Sequence, residues 1–212
     1  MAHEYAQEIW DGLLADIKNE YGVAALMGNL QAESGLCPYR LQGDFTDGYT
    51  TSKSYTAQVN LGEISKDDFI YNGPNGGGYG LAQWTFWSRK KALYEMWQSG
   101  GYLSIGSCDL AIAYLLWELK NNYSGVYSTL KNATSIRTAS DSVLHNFENP
   151  ADQSESVEEL RASLGQNWYN TFHGSGGGGD TGGDTGDENE PIPYTPRKKM
   201  SLLLMYLATR KG

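Results

Sequence analysis

Cysteine and histidine are scarce in this 212-residue chain, with two of the former and three of the latter. Cys37 and Cys108 sit outside any CxxC or Cys-His spacing, so no metal site is expected; one disulfide between them is open, and two isolated buried thiols are the preferred reading. His3, His145 and His173 are equally scattered, and no HExxH string is present, which argues against a zinc or cysteine peptidase. A GxSxG elbow is also missing. The richest glycine stretch, GPNGGGYG, lacks the Lys-Ser/Thr of a phosphate loop and any βαβ context. Basic residues are few: 16 Lys and Arg stand against 25 Asp and Glu, a net charge of −9, which argues against a nucleic-acid partner. The first ten residues, MAHEYAQEIW, hold no basic stretch followed by an apolar run, so no secretory signal is expected. No apolar run approaches the ~20 residues that span a bilayer. These absences imply no metal and no organic cofactor.

What is present is aromatic. Six tryptophans and fifteen tyrosines offer flat faces that either fill a core or stack on sugar rings. Composition divides the chain into residues 1–173, a globular part; residues 174–190, an acidic Gly/Asp-rich linker; and residues 191–212, a short basic and apolar tail.

In the first part, helical periodicity runs from Tyr5 to Tyr21 through Ile9, Leu13, Leu14 and Ile17. A second helix follows Gly22 and ends in Glu33. From Leu36 to Gly80 the periodicity fades among glycines, which predicts loops and at most a small irregular sheet. Thr85 is a cap for a helix carrying Leu93, Met96 and Trp97, stopped by Gly100-Gly101. Ser107 is a cap for a central helix over 108–121. Shorter helical patterns follow around Val126 and Leu130, and through Ile136, Val143 and Phe147 to Asn149-Pro150. The last starts from a capping box, Ser156 with Glu159, and runs to Phe172. The fold class expected is mainly α, with a small loop-rich β-region.

Two strings carry chemistry. In GNLQAESGL, Val23, Leu26, Met27 and Leu30 make one apolar stripe, and Glu33 falls at its edge on the last turn. Partial desolvation and the negative end of the helix dipole both favour an acid that keeps its proton. Two readings stay open: a proton donor, or an ordinary glutamate in water at a helix end. In GGGYGLAQW, glycines let the backbone approach a ligand, Gln83 offers an amide, and Tyr79, Trp84 and Trp87 offer stacking faces. The bland alternative is a Gly-rich turn leading into a helix.

Together, AALMGNLQAESGL, YGLAQWTFWSRKKALY and LHNFENPA resemble the phage tail-type lysozyme family, and the Glu-Ser pair followed by Gly-Leu-x-Gln is similar to goose-type lysozymes and lytic transglycosylases. The resemblance covers roughly Tyr5 to Phe172. It implies a lysozyme-like fold whose β-region borders a sugar-binding cleft, with Glu33 as general acid in cleaving peptidoglycan between N-acetylmuramic acid and N-acetylglucosamine. It also implies a cleft wall at Gly80, Leu81 and Gln83, with Gln83 touching an N-acetyl sugar and Tyr79 and Trp84 beside it. Phe147, Glu148 and Pro150 match a string read as a structural helix end near the cleft in preference to a catalytic role for Glu148. Arg89 either pairs with an acid in the core or touches glycan, the ion pair being preferred.

A hydrolase needs a second carboxylate, about 6.5–9.5 Å away for inversion or 5–5.5 Å for retention. The insertion supplies Asp44, Asp47, Glu63, Asp67 and Asp68; Asp44 and Asp47, nearest in sequence to Glu33, are preferred. Tyr55 is a further cleft candidate that suits core packing equally well. A transglycosylase, in which a sugar hydroxyl attacks to leave an anhydro end, and a non-catalytic wall-binding module are the alternatives. The expected partner is the glycan strand. The tail, Met200 to Ala208 between Arg197-Lys198-Lys199 and Arg210-Lys211, suits a wall or membrane surface, a phage tail component, or a second copy; folding back onto the first part is the alternative. The expected route is synthesis in the host cytoplasm, followed by action on the bacterial wall after holin-type release or from a virion tail.

Overall fold

Apolar periodicity and left-handed stop residues cut the chain into eight α-helices among the described residues of a computed structural model, which are 3–72 and 77–173. In order these are α1 (Ala6–Ile17), α2 (Glu20–Ser34), α3 (Thr50–Leu61), α4 (Trp87–Gly100), α5 (Cys108–Asn122), α6 (Ser124–Lys131), α7 (Ile136–Val143) and α8 (Glu155–Phe172). Short π-helical turns occupy Asp68–Asn72 and Leu144–Glu148. The chain is mainly helical. The expected linker, 174–190, and tail, 191–212, lie outside the described residues.

Several expected boundaries move. The first helix stops at Ile17 rather than Tyr21, because Lys18 turns left-handed at φ 58°. The helix predicted from Thr85 begins at Trp87 behind Phe86, while the Thr85 hydroxyl donates to the Gln83 carbonyl instead. The last helix has Ser154, not Ser156, at its N-cap position, where the side chain makes no capping hydrogen bond. Where loops and at most a small irregular sheet are expected, the described residues show two isolated antiparallel bridges, Leu41 with Tyr79 and Tyr79 with Trp84. The largest change is α3, inside the stretch expected to be loop. Its buried positions, Ser52, Thr56 and Val59, do keep helical spacing, but two of the three are polar and carry no hydrophobic signal. Gly62 closes α3 in the left-handed conformation, its N–H reaching the Gln58 and Val59 carbonyls.

The described residues form two compact units. One contains residues 7–29 and 123–173. There α2 is buried all round from Val23 to Leu30, more than the single buried stripe that the sequence predicts. Glycine is the reason. Gly22 lies inside the helix, where a Cβ would overlap the Leu130 carbonyl of α6, and a Cβ on Gly28 would lie 2.5 Å from the Gly165 nitrogen of α8. Backbones meet where side chains are absent. Asn29 sits in this packing, donating to the Ala25 carbonyl and the Ser140 hydroxyl and accepting from Arg161. Phe147 is buried edge-on against Tyr123, in a helix end that left-handed Asn149 terminates.

The other unit contains residues 3–6 and 30–122. α5 lies in its core, as its sequence predicts, with Trp117 the exposed exception among its apolar residues. Cys37 and Cys108 are both buried and not disulfide-bonded. This unit carries the end of α2 and the glycine-rich turn.

Candidate active site

α2 ends abruptly. The Ser34 hydroxyl donates to the Leu30 carbonyl, the Gly35 N–H to the Gln31 carbonyl, and the chain then takes two successive left-handed residues, Gly35 at φ 65° and Leu36 at φ 60°. A bulky residue at positive φ is strained; here burial of the Leu36 side chain compensates. The turn leaves Glu33 half-buried on the last turn of the helix.

The glycine-rich string folds as a tight turn between Tyr79 and Trp84, whose backbone N–H and C=O groups pair with each other. Gly80 needs its φ of 80°, and a Cβ there would fall 2.8 Å from the Trp84 ring. The Gly80 N–H also donates to the Arg40 carbonyl, fastening the turn to residues 40–42. From Gly78 to Trp84 every residue is buried except Gln83. The Gln83 amide nitrogen donates to the Arg40 and Gly80 carbonyls, at 3.1 and 2.9 Å, so the side chain is held in place.

The expected stacking faces divide. Tyr79 is buried, its hydroxyl hydrogen-bonded to Thr56 at 2.8 Å, with burial pushing its pKa far up. Tyr55 is half-buried among Phe69 and Tyr79, and burial, with Asp68 nearby, raises its hydroxyl to about 12. Trp84 is wholly buried, and its indole N–H donates to Glu118. Tyr79 and Trp84 are thus packed beneath the turn, because the apolar rings gain from leaving water. The exposed rings are Trp87, stacked with Tyr71 at 6.0 Å, and Phe86.

Glu118 is the acid that Arg89 pairs with in the core. Sequence reasoning expected such a partner for Arg89 but did not name it. It is fully buried (0% exposed), and both oxygens accept from the Arg89 guanidinium, at 2.6 and 2.8 Å, alongside the Trp84 indole. The signal was a single acid within the apolar run of α5, a position a carboxylate tolerates only when paired.

The two preferred second acids also part company. Asp44 is buried, with four donors on its carboxylate: the Thr46 N–H and hydroxyl on one oxygen, the Ser52 N–H and hydroxyl on the other. Burial pushes its pKa up, but the hydrogen bonds from Ser52 and Thr46 outweigh that and hold it well below the usual carboxylate range. Through Ser52 it also caps the first turn of α3. With its lone pairs occupied in this way, Asp44 ties the loop after Leu41 to the start of α3. Asp47 is exposed in the loop leading to Tyr49, and no described residue donates to its carboxylate. That loop comes close to the end of α2, since a Cβ on Gly35 would meet the Tyr49 hydroxyl at 2.9 Å. A cavity of about 530 Å³ opens there, lined by Gly35, Leu36, Arg40, Asp47, Tyr49 and their neighbours.

The sequence model of a family described as phage tail lysozyme matches residues 4–172. The chain belongs to that family. The match takes in Glu33, the Gln83 turn and the helix end at Asn149, and it makes this member a lysozyme-like enzyme acting on peptidoglycan. No curated protein matches the chain.

Proposed function

We propose that the chain is a muramidase-type glycoside hydrolase, cutting the bond between N-acetylmuramic acid and N-acetylglucosamine, with Glu33 as general acid. The observation that carries this reading is the position of Glu33: half-buried, on the last turn of α2, just before two left-handed residues, and within the matched span. Glu33 protonates the leaving glycosidic oxygen while positive charge grows on the anomeric carbon. Gln83, its amide nitrogen held by two carbonyls, presents its oxygen to the N–H of an acetamido group. Asp47 activates the water that completes an inverting hydrolysis. The protein works on the bacterial wall, from a phage particle or after release from its host.

The occupied carboxylate of Asp44 supports a second reading, in which the sugar's own hydroxyl attacks and an anhydro end forms without a second acid. Clearing of purified walls tests the proposal. Glu33→Gln is expected to slow clearing by about 100-fold or more; a variant that clears as well as the wild type overturns it. Mass spectrometry of the fragments then reads reducing ends for hydrolysis and anhydro ends for the second reading.

A further inference from the structure

We propose that the cavity beside the end of α2 binds the charged peptide stem carried by the muramic sugar, making stem-bearing glycan the preferred substrate. This rests on the glycosidase reading, and it names what the glycan alone leaves unexplained. The cavity, about 530 Å³, has the size of a small-ligand site. Its charged lining is Glu4, Arg40, Asp47 and Lys53, and none of these four forms an ion pair with a described residue. A glycan backbone of hydroxyls and acetamides is neutral, and it offers such charges hydrogen bonds but no ion pair. A peptide stem has free carboxylates for Arg40 and Lys53 and, where its third residue is a diamino acid, an amine for Glu4.

Arg40 is already held for this task. Its guanidinium lies 4.0 Å over the Tyr49 ring, and its carbonyl accepts from Gly80 and Gln83. One residue thus joins the cavity to the turn that faces the sugar. Tyr5 and Tyr39, edge to face at 6.0 Å, add apolar wall for the methyl groups of alanine. Geometry agrees as well. Gly35 lines the cavity two residues after Glu33, so their α-carbons are at most about 7 Å apart. The stem hangs from the sugar whose anomeric carbon reacts, and so starts close to the reacting centre.

The test is titration of the full chain with the soluble tetrapeptide L-Ala–γ-D-Glu–L-Lys–D-Ala, which contains no sugar, followed by calorimetry and amide NMR. The expected result is saturable binding that weakens with salt, shifts resonances of Gly35, Tyr49 and Lys53, and falls about threefold in Lys53→Gln and in Arg40→Gln. Lys53 is exposed, so its variant is expected to keep the wild-type melting temperature. Absence of saturable binding, or equal binding by both variants, overturns the proposal. So does displacement of the peptide from those residues by an N-acetylglucosamine trimer, which would make the cavity a glycan subsite. Binding is read without turnover. A protein that clears walls yet ignores the tetrapeptide refutes this inference alone; one that binds it and clears nothing refutes the glycosidase reading alone.

Discussion

Carboxylates end in different states here, and hydrogen bonding decides which. Glu118 is buried and answered by Arg89 and Trp84; Asp44 is buried and answered by Ser52 and Thr46; Asp47 is exposed. Each state sets what the group does. Removing the Asp44 carboxylate leaves four donors without it, so Asp44→Ala is expected to cost about 2–3 kcal/mol in urea unfolding. Its pH dependence has a definite sign. The folded pKa lies below the unfolded one, so the stabilisation is present above the unfolded value near 3.8 and is lost as pH falls below it towards the folded pKa. Wild-type stability should therefore decline on acidification through that window, with a smaller decline in Asp44→Ala. Equal slopes would show that the carboxylate is not held as described. From sequence, Asp44 and Asp47 were indistinguishable, since both are loop acids close behind Glu33. Their difference lies in Ser52, eight residues after Asp44, and in which of them burial reaches.

Among elements, α2 does two things: its middle is packed without side-chain spacing, and its end presents the acid. Gly28 and Gly165 allow backbone-close packing with α8, while Gly22 does the same with α6. Gly28→Ala improves helix propensity by about 1 kcal/mol, yet it inserts a methyl group against rigid backbone atoms. Overpacking wins, and the variant should lose about 2–3 kcal/mol, read as a lower melting temperature. A rise in melting temperature would mean that the two backbones part at no cost. Of the elements, α1, α2, α4 and α5 are legible because each carries its own run of apolar residues at helical spacing, although the end of α1, at a left-handed Lys18, is not. α3 was not. It is written in Ser, Thr and Gln, and its spacing shows only once Ser52 and Thr56 are seen to be buried among hydrogen-bond partners.

At the scale of the whole molecule, the matched span ends at 172 and the last helix at Phe172. Residues 174–190 contain no apolar side chain that a core could use. A chain ending at His173 should therefore melt within about 2 °C of the full chain and cleave soluble glycan fragments at the same rate. A slower clearing of intact walls, with fragment cleavage unchanged, would identify residues 191–212 as the targeting segment; a large fall in melting temperature would show instead that the core needs them. The sequence by itself determined the order of most helices, the place of Glu33 on a last turn, and the glycine-rich turn that exposes Gln83. Each of these rests on periodicity, capping and φ preference, which act over a few neighbouring residues. Tertiary structure alone decided which acids are occupied, which tyrosines and tryptophans are buried, and which side chains line the cavity. These depend on burial and on partners distant in the chain, as Arg89 is from Glu118, and no local pattern encodes them.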